Sequence, residues 1–93
     1  MFQRKIRGYL IVLPTRPSNR FKKYEVYKDG SYITAFGDVR YNHYRDRIGY
    51  YNNMDTLNRE RRRLYRIRHA KDKGVVQNNP NFSGYWSWNY LWK

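Results

Sequence analysis

The pattern of apolar positions in the first third of the chain predicts a β-sheet. Residues 9–13 form a continuous apolar run that ends at Pro14, as expected of a short buried strand. Residues 21–36 flank Asp29-Gly30, a dipeptide typical of a two-residue hairpin turn, because both positions accept positive φ. Since an isolated hairpin is only marginally stable, we expect the run at 9–13 to complete a three-stranded antiparallel sheet.

The Asp29-Gly30 turn also predicts which residues of the hairpin face the core. With these two residues as the loop, Lys28 pairs with Ser31, and strict alternation assigns the remaining side chains to two faces. The predicted core face carries Tyr24, Val26, Ile33 and Ala35. The predicted outer face carries Lys23, Glu25, Tyr27, Tyr32, Thr34 and Phe36.

Two helices are predicted in the second half of the chain. The longer one spans residues 56–73, with Asp55 or Thr56 as N-cap and Gly74 just past its end. Leu57, Leu64 and Ile67 share one side of it, which predicts the face that packs on the sheet. In the tail, Tyr85, Trp88 and Trp92 share a face of a short second helix. The predicted fold is therefore α+β, a three-stranded antiparallel sheet packed by a long basic helix and a short aromatic one.

The length of 93 residues predicts a single domain over residues 1–93. The expected segments are a basic arm at 1–8, the sheet at 9–36, a Tyr/Arg-rich connection at 37–55, the basic helix at 56–73, a linker at 74–81 and an aromatic tail at 82–93.

Charge and aromatic content narrow the expected partner. The 20 Lys and Arg residues outnumber the 7 Asp and Glu residues, so the net charge is +13, while aromatic residues make up 19% of the chain. A strongly basic chain with interleaved aromatics favours a polyanion, and nucleic acid first. The alternative is a basic surface that only aids solubility.

The composition also argues against disulfide-bonded, cysteine-zinc, membrane-spanning and secreted proteins. The chain has no cysteine, which excludes disulfides and cysteine-based zinc sites and favours a reducing compartment. No apolar run approaches the length of a membrane span, and the longest is too short for a secretory signal, so we expect a soluble, non-secreted protein without a membrane partner.

The strongest candidate site is the arginine cluster of the long helix. Arg59, Arg62, Arg63 and Arg66 fall on the side opposite the apolar stripe, and like charges at this spacing repel one another. A helix that accepts such repulsion predicts phosphate contact, the alternative being a solvated face. Arg40, Arg45 and Arg47 in the connection are further candidate nucleic-acid contacts. Nothing identifies base-reading residues, so sequence-specific recognition is not predicted.

The aromatic tail has two readings. Tyr85, Trp86, Trp88 and Trp92 either form a surface that docks a partner or stacks on unpaired bases, or fold back to close the core. A domain this small needs its large aromatics for burial, which favours the second reading.

Catalytic and metal-binding patterns are lacking. His43 and His69 are the only histidines and have no ligand set at metal spacing; His69 is expected to interact with the helix dipole. Asp38 and Asp46 are the nearest carboxylate pair, but Arg40, Arg45 and Arg47 surround them and favour salt bridges. We therefore predict a non-enzyme without metal or cofactor.

Three motifs in order resemble a known family. They are Phe36-Gly37-Asp38 with Tyr41 and Tyr44, the stretch RRRLYRIRH at 61–69, and SGYWSWNYLW at 83–92. Together they resemble small basic proteins of unknown function from large double-stranded DNA viruses and tailed phages, over about residues 24–92. The chain departs from that pattern at 52–55, where it has Asn-Asn-Met-Asp and many relatives have a His-Lys-Asp step.

With this resemblance, the expected function is non-enzymatic binding of nucleic acid, with DNA ahead of RNA, or of nucleoprotein by a viral or phage protein. Such a protein is expected in the virion, or in the host cytoplasm or nucleoid with the genome. One alternative is a minor capsid or cement protein that bridges capsid subunits. A less favoured one is an inhibitor of a host nucleoprotein enzyme, of the anti-CRISPR type.

Overall fold

The chain folds as an antiparallel sheet followed by two helices, which confirms the predicted α+β class. A computed structural model describes residues 2–72, 74 and 76–93. Over these residues the elements are β1 (Gln3–Ile6), β2 (Tyr9–Val12), β3 (Tyr24–Lys28), β4 (Ser31–Phe36), α1 (Arg59–Arg68) and α2 (Ser83–Tyr90). Short 3-10 helices lie at Pro17–Asn19, Asn52–Met54 and Ala70–Asp72.

The sheet has four strands in the order β1-β2-β3-β4 within the described residues, so the prediction of three is wrong. Strand β1 lies in residues 1–8, predicted as a basic arm, and pairs with β2 across a turn at Arg7-Gly8, where both residues have positive φ. The hydrophobic pattern does not indicate this strand, because Gln3, Arg4 and Lys5 are all polar and exposed. Charged side chains are common on edge strands, where they discourage pairing with another chain.

A β-bulge changes the predicted register of the β3–β4 hairpin. Lys28 pairs with Ser31 as expected, but past Tyr27 the register shifts by one residue, so that Tyr24 pairs with Phe36. A shift of one residue exchanges the two faces of a strand. Phe36 therefore lies in the core, 1% exposed and with its ring 5.3 Å from that of Tyr24, and its predicted place on the outer face is wrong.

The core lies between one face of the sheet and the C-terminal part of the chain. Trp86 of α2 is 1% exposed, and its ring stacks on Phe36 at 5.9 Å while its indole N–H donates to the Pro80 carbonyl at 2.8 Å. The buried cluster consists of Ile11, Tyr24, Val26, Phe36, Ile48, Trp86 and Leu91.

A buried lysine joins the sheet to the connection that follows it. Lys23 is 2% exposed, and its Nζ lies 2.9 Å from the Tyr41 carbonyl oxygen and 2.7 Å from Nδ1 of His43. Nε2 of His43 lies 2.6 Å from Oδ1 of Asp55. Because an ammonium group can only donate, Nδ1 accepts and Nε2–H donates, so a neutral imidazole bridges a cation and an anion. Burial lowers the pKa of Lys23 to about 8, and burial beside Lys23 lowers the pKa of His43.

Gly37 makes room for this lysine. Its φ is +77°, and a Cβ at this position would lie 2.9 Å from Cβ and Cδ of Lys23. Only glycine combines this backbone conformation with so close an approach.

Asp46 is turned into the protein rather than toward its neighbouring arginines. It is 2% exposed and accepts the Tyr24 hydroxyl and the backbone N–H groups of Ile48 and Tyr51, the latter two at 2.8 Å. The predicted salt bridges of Asp46 with Arg45 and Arg47 are therefore wrong, because the carboxylate caps a buried turn.

Glu25 holds the β2–β3 loop from the opposite face of the sheet. This fully buried carboxylate accepts hydrogen bonds from the backbone N–H groups of Thr15 and Arg16 at 3.1 and 3.0 Å, and from the Asn19 side chain at 2.9 Å. Burial by itself would raise the pKa of Glu25, but these hydrogen bonds outweigh it and lower the pKa to about 2.

We expect Glu25→Gln to lower the free energy of unfolding by about 2–3 kcal/mol at neutral pH, because an amide cannot accept all of these bonds. Since the folded pKa lies below the ordinary value of 4.5, the contribution is complete above that value and is lost as the pH falls toward 2. The difference between wild type and variant in urea denaturation should therefore shrink on acidification. Glu60→Gln, a change of an exposed glutamate, is the control and should have little effect. If Glu25→Gln changed the free energy of unfolding as little as Glu60→Gln does, the result would contradict this account.

We expect Lys23→Met to lower the free energy of unfolding by about 2–4 kcal/mol, because it leaves the Tyr41 carbonyl and His43 Nδ1 buried without their donor. Lys22→Met removes the same charge from an exposed neighbour and should change stability by less than about 0.5 kcal/mol. Urea denaturation of the two variants checks this, and equal stabilities would contradict it.

Candidate nucleic-acid interface

Helix α1 begins three residues later than predicted, and its N-cap is neither Asp55 nor Thr56. Asn58 is the N-cap, and its side-chain oxygen accepts the backbone N–H of Arg61 at 3.0 Å. Asp55 cannot cap the helix because its carboxylate points to His43, and Leu57 breaks the helical geometry with a φ of +53°.

The C-terminal end of the helix is also earlier than predicted. Helix α1 ends at Arg68 with His69 as C-cap, and a 3-10 helix at Ala70–Asp72 follows. Residue 73, the predicted last residue, lies outside the described residues. The backbone N–H of His69 donates to the Tyr65 carbonyl at 3.1 Å.

The face of α1 that packs on the protein is not the predicted apolar stripe. Leu57, Leu64 and Ile67 are 59%, 48% and 58% exposed, whereas Tyr65 is the buried residue of the helix. The Tyr65 ring stacks in parallel on Trp92, with centroids 4.6 Å apart. The tail offers aromatic faces rather than an aliphatic groove, and aromatic stacking decides how the helix is rotated.

This rotation places four predicted arginines along one flank of α1. They border an open depression of about 490 Å³, together with Ile67 and Ala70. The four are Arg59, Arg62, Arg63 and Arg66, and we call this surface the arginine flank.

Two of these guanidinium groups are held over aromatic rings. Arg62 lies 4.4 Å from the centre of the Tyr44 ring, and Arg66 lies 4.8 Å from that of Trp88. Contact with a ring face restricts the side chain but does not use its N–H donors, which lie in the guanidinium plane. The two groups are therefore positioned to bind an anion.

Arg63 differs from the other three because it has a carboxylate partner. Its Nε donates to Glu60 at 3.1 Å, and a second bond joins its Nη2 to the same carboxylate. This pairing raises the pKa of Arg63 and lowers that of Glu60. Of the four arginines on the arginine flank, Arg63 is thus the one for which the described residues show a salt bridge.

Arg40, Arg45 and Arg47 are not among the residues that border the depression at the arginine flank. Arg40 pairs with Asp38 through an Nη2–Oδ2 distance of 2.7 Å, as predicted, and lies 4.5 Å over the Phe21 ring. Arg47 donates to the Lys93 carbonyl at 3.1 Å, and Arg45 is exposed.

The aromatic tail serves both the core and α1. Trp86 is buried in the core, and the half-buried Tyr85 contacts it edge-on at 5.1 Å. Trp88 and Trp92 are half-buried and face Tyr65 at 6.1 and 4.6 Å. The tail therefore seats the helix that carries the arginine flank.

Three acidic side chains are withdrawn from the protein surface and do not neutralise the basic side chains there. Glu25 and Asp46 are buried, and Asp55 is only 16% exposed and bound to His43. Among the described residues, Arg40–Asp38 and Arg63–Glu60 are the salt bridges, whereas Asp55 accepts a hydrogen bond from the neutral His43. The imbalance of charge at the surface is thus larger than the composition suggests.

Sequence reasoning missed the aromatic partners of the arginines. The sequence shows Tyr and Arg residues mixed after the hairpin, but it does not indicate that Tyr44 contacts Arg62. The two residues meet through tertiary contacts, namely the hydrogen bonds among Lys23, His43 and Asp55 and the bond from the Leu57 N–H to the Tyr44 carbonyl at 3.0 Å.

In the described part of the chain, no group of three or more histidine or acidic side chains is placed to hold a metal ion. None of the helices described there is long and apolar enough to cross a membrane.

No protein-family model, curated protein or solved structure matches this chain. The resemblance to the viral and phage family therefore stays a prediction that rests on the motifs quoted above.

We expect Tyr65→Ala to lower the free energy of unfolding by about 3–4 kcal/mol, because it empties the stacking position against Trp92. Leu64→Ala changes the adjacent, exposed residue of the predicted stripe and should cost less than about 1 kcal/mol. Thermal or urea denaturation compares the two variants, and the reverse order of stabilities would show that the apolar stripe packs instead.

Proposed function

We propose that this protein binds nucleic acid without catalysing a reaction on it, and that the sugar-phosphate backbone lies on the arginine flank. Arg59, Arg62 and Arg66 make the main phosphate contacts, and Arg63 assists. The observation that carries the proposal is the pair Arg62 and Arg66: both are held over aromatic rings, and neither forms a salt bridge within the described part of the chain.

The length of the arginine flank suits a repeating polyanion. From Arg59 to Arg66 the helix rises about 10 Å, at about 1.5 Å per residue. One strand of a DNA duplex places a phosphate about every 3.4 Å along its axis, so the flank spans about three such intervals, which is the length of four successive phosphates.

The buried carboxylates support a binding rather than a catalytic role. Asp46 and Glu25 accept several hydrogen bonds each from backbone and side-chain donors, which leaves little capacity for proton transfer. With the motif resemblance, the proposed ligand is a viral genome, DNA before RNA.

Fluorescence anisotropy with a labelled mixed-sequence duplex tests the proposal. If four phosphates are neutralised, log affinity should fall against log salt with a slope of about −3.6. Arg62→Ala/Arg66→Ala should weaken binding and make the slope about 1.8 units shallower, because two phosphate contacts are lost.

The control is Arg16→Ala/Arg20→Ala, which removes two arginines from the β2–β3 loop. These are also held over rings, Arg16 at 4.0 Å from Tyr32 and Arg20 at 4.8 Å from Phe21, so charge and type of contact are matched. The control should keep a slope closer to that of the wild type. Equal effects of the two double variants, or no binding by the wild type at about 50 mM salt, would overturn the proposal.

A further inference from the structure

An apolar groove lies along α1 and meets the depression at the arginine flank at Ile67. It has a volume of about 650 Å³, and its floor and walls are mainly apolar. We call it the aromatic groove; it is lined by Tyr41, Leu64, Ile67 and Trp92, with Arg61 and Arg68 at its border.

The side chains of this groove are unusually exposed for their type. Tyr41 is 64% exposed, Ile67 58% and Leu64 48%. Apolar side chains gathered in one exposed place mark a binding surface more often than a random scatter does. Ile67 borders both this groove and the depression at the arginine flank, so the two surfaces are adjacent.

We propose that the aromatic groove binds the unpaired bases of a single nucleic-acid strand whose phosphates lie on the arginine flank. This inference rests on the proposed function and specifies its ligand. A single strand presents phosphates along one edge and free base faces along the other, which matches a charged flank beside an apolar one. In a duplex the bases stack on one another, so their faces are not available to the groove.

The rings in the groove are suited to stacking. Trp92 is held parallel to Tyr65, at 6° and 4.6 Å, which fixes one platform before a ligand arrives. Tyr41 supplies an exposed ring, and Arg61 and Arg68, which also line the groove, carry planar guanidinium groups on which bases can stack.

Two other occupants fit the groove less well. A second copy of this chain would bring another net charge of +13 to a border that is already positive. An acidic amphipathic helix would match the charge, but it would make no use of the adjacent arginine flank. A nucleic-acid strand accounts for both surfaces at once.

The test compares an oligothymidylate strand of about 20 nucleotides with a duplex of equal length, for the wild type and Tyr41→Ala. The variant should bind the single strand roughly 5- to 100-fold more weakly, the range for loss of one base stack. Its salt slope and its affinity for the duplex should stay unchanged, since no charge is removed. Tyr41→Phe, which keeps the ring, should bind like the wild type. Phe82→Ala, which removes a 45% exposed ring elsewhere on the surface, is the control.

Equal binding of the single strand by the wild type and Tyr41→Ala would overturn this inference while leaving the proposed function intact. Absence of binding to every nucleic acid would overturn both. A change in the sedimentation of the free protein on Leu64→Glu would show that a second copy covers the groove, and it too would overturn the inference.

Discussion

The rest of the structure depends on how the Lys23 ammonium group is accommodated inside the protein. Removing an ammonium group from water costs several kcal/mol unless hydrogen bonds and opposite charge replace the lost hydration. Lys23 has both only when Nδ1 of His43 accepts a hydrogen bond from it and Nε2–H of His43 donates to the Asp55 carboxylate. The connection after β4 must therefore close over the start of β3 in one arrangement. Thr56 then bonds to the His43 carbonyl through both its N–H and its hydroxyl, which places the start of α1.

The same network links folding to the charge of the surface. A small basic protein could neutralise its arginines with surface carboxylates, but here Asp46, Asp55 and Glu25 are used to hold turns and loops. Glu25 and Asp55 stabilise the fold in their ionised form, since hydrogen bonds from backbone N–H groups help to lower the pKa of each. The fold thus withdraws negative charge from the surface, which leaves fewer carboxylates there to neutralise the arginines of α1. Binding of a polyanion would relieve the mutual repulsion that the fold leaves in place.

Local features were predictable from the sequence, and features that depend on distant partners were not. The Asp29-Gly30 turn specified the hairpin because the required φ values are a property of the two residues themselves. Its bulge was not visible, since it places Phe36 against Trp86, a partner far along the chain that no local pattern identifies. The arginine cluster followed from helical spacing alone. Its rotation did not, because summed hydrophobicity favours Leu64 and Ile67 over a tyrosine, whereas the actual neighbour of the helix is an indole ring.

Both proposed surfaces have one geometric origin, the stacking of Tyr65 on Trp92. Neighbouring residues of a helix point about 100° apart, so a helix that packed through Leu64 and Ile67 would turn Tyr65 outward and bury the aromatic groove. Packing through Tyr65 instead leaves the aliphatic stripe on one flank and the arginines on the other. The aromatic tail therefore determines which faces of α1 are exposed, although Trp86, its most buried member, lines neither proposed surface. A positively charged flank and an apolar flank on one helix are the two halves that a single nucleic-acid strand requires.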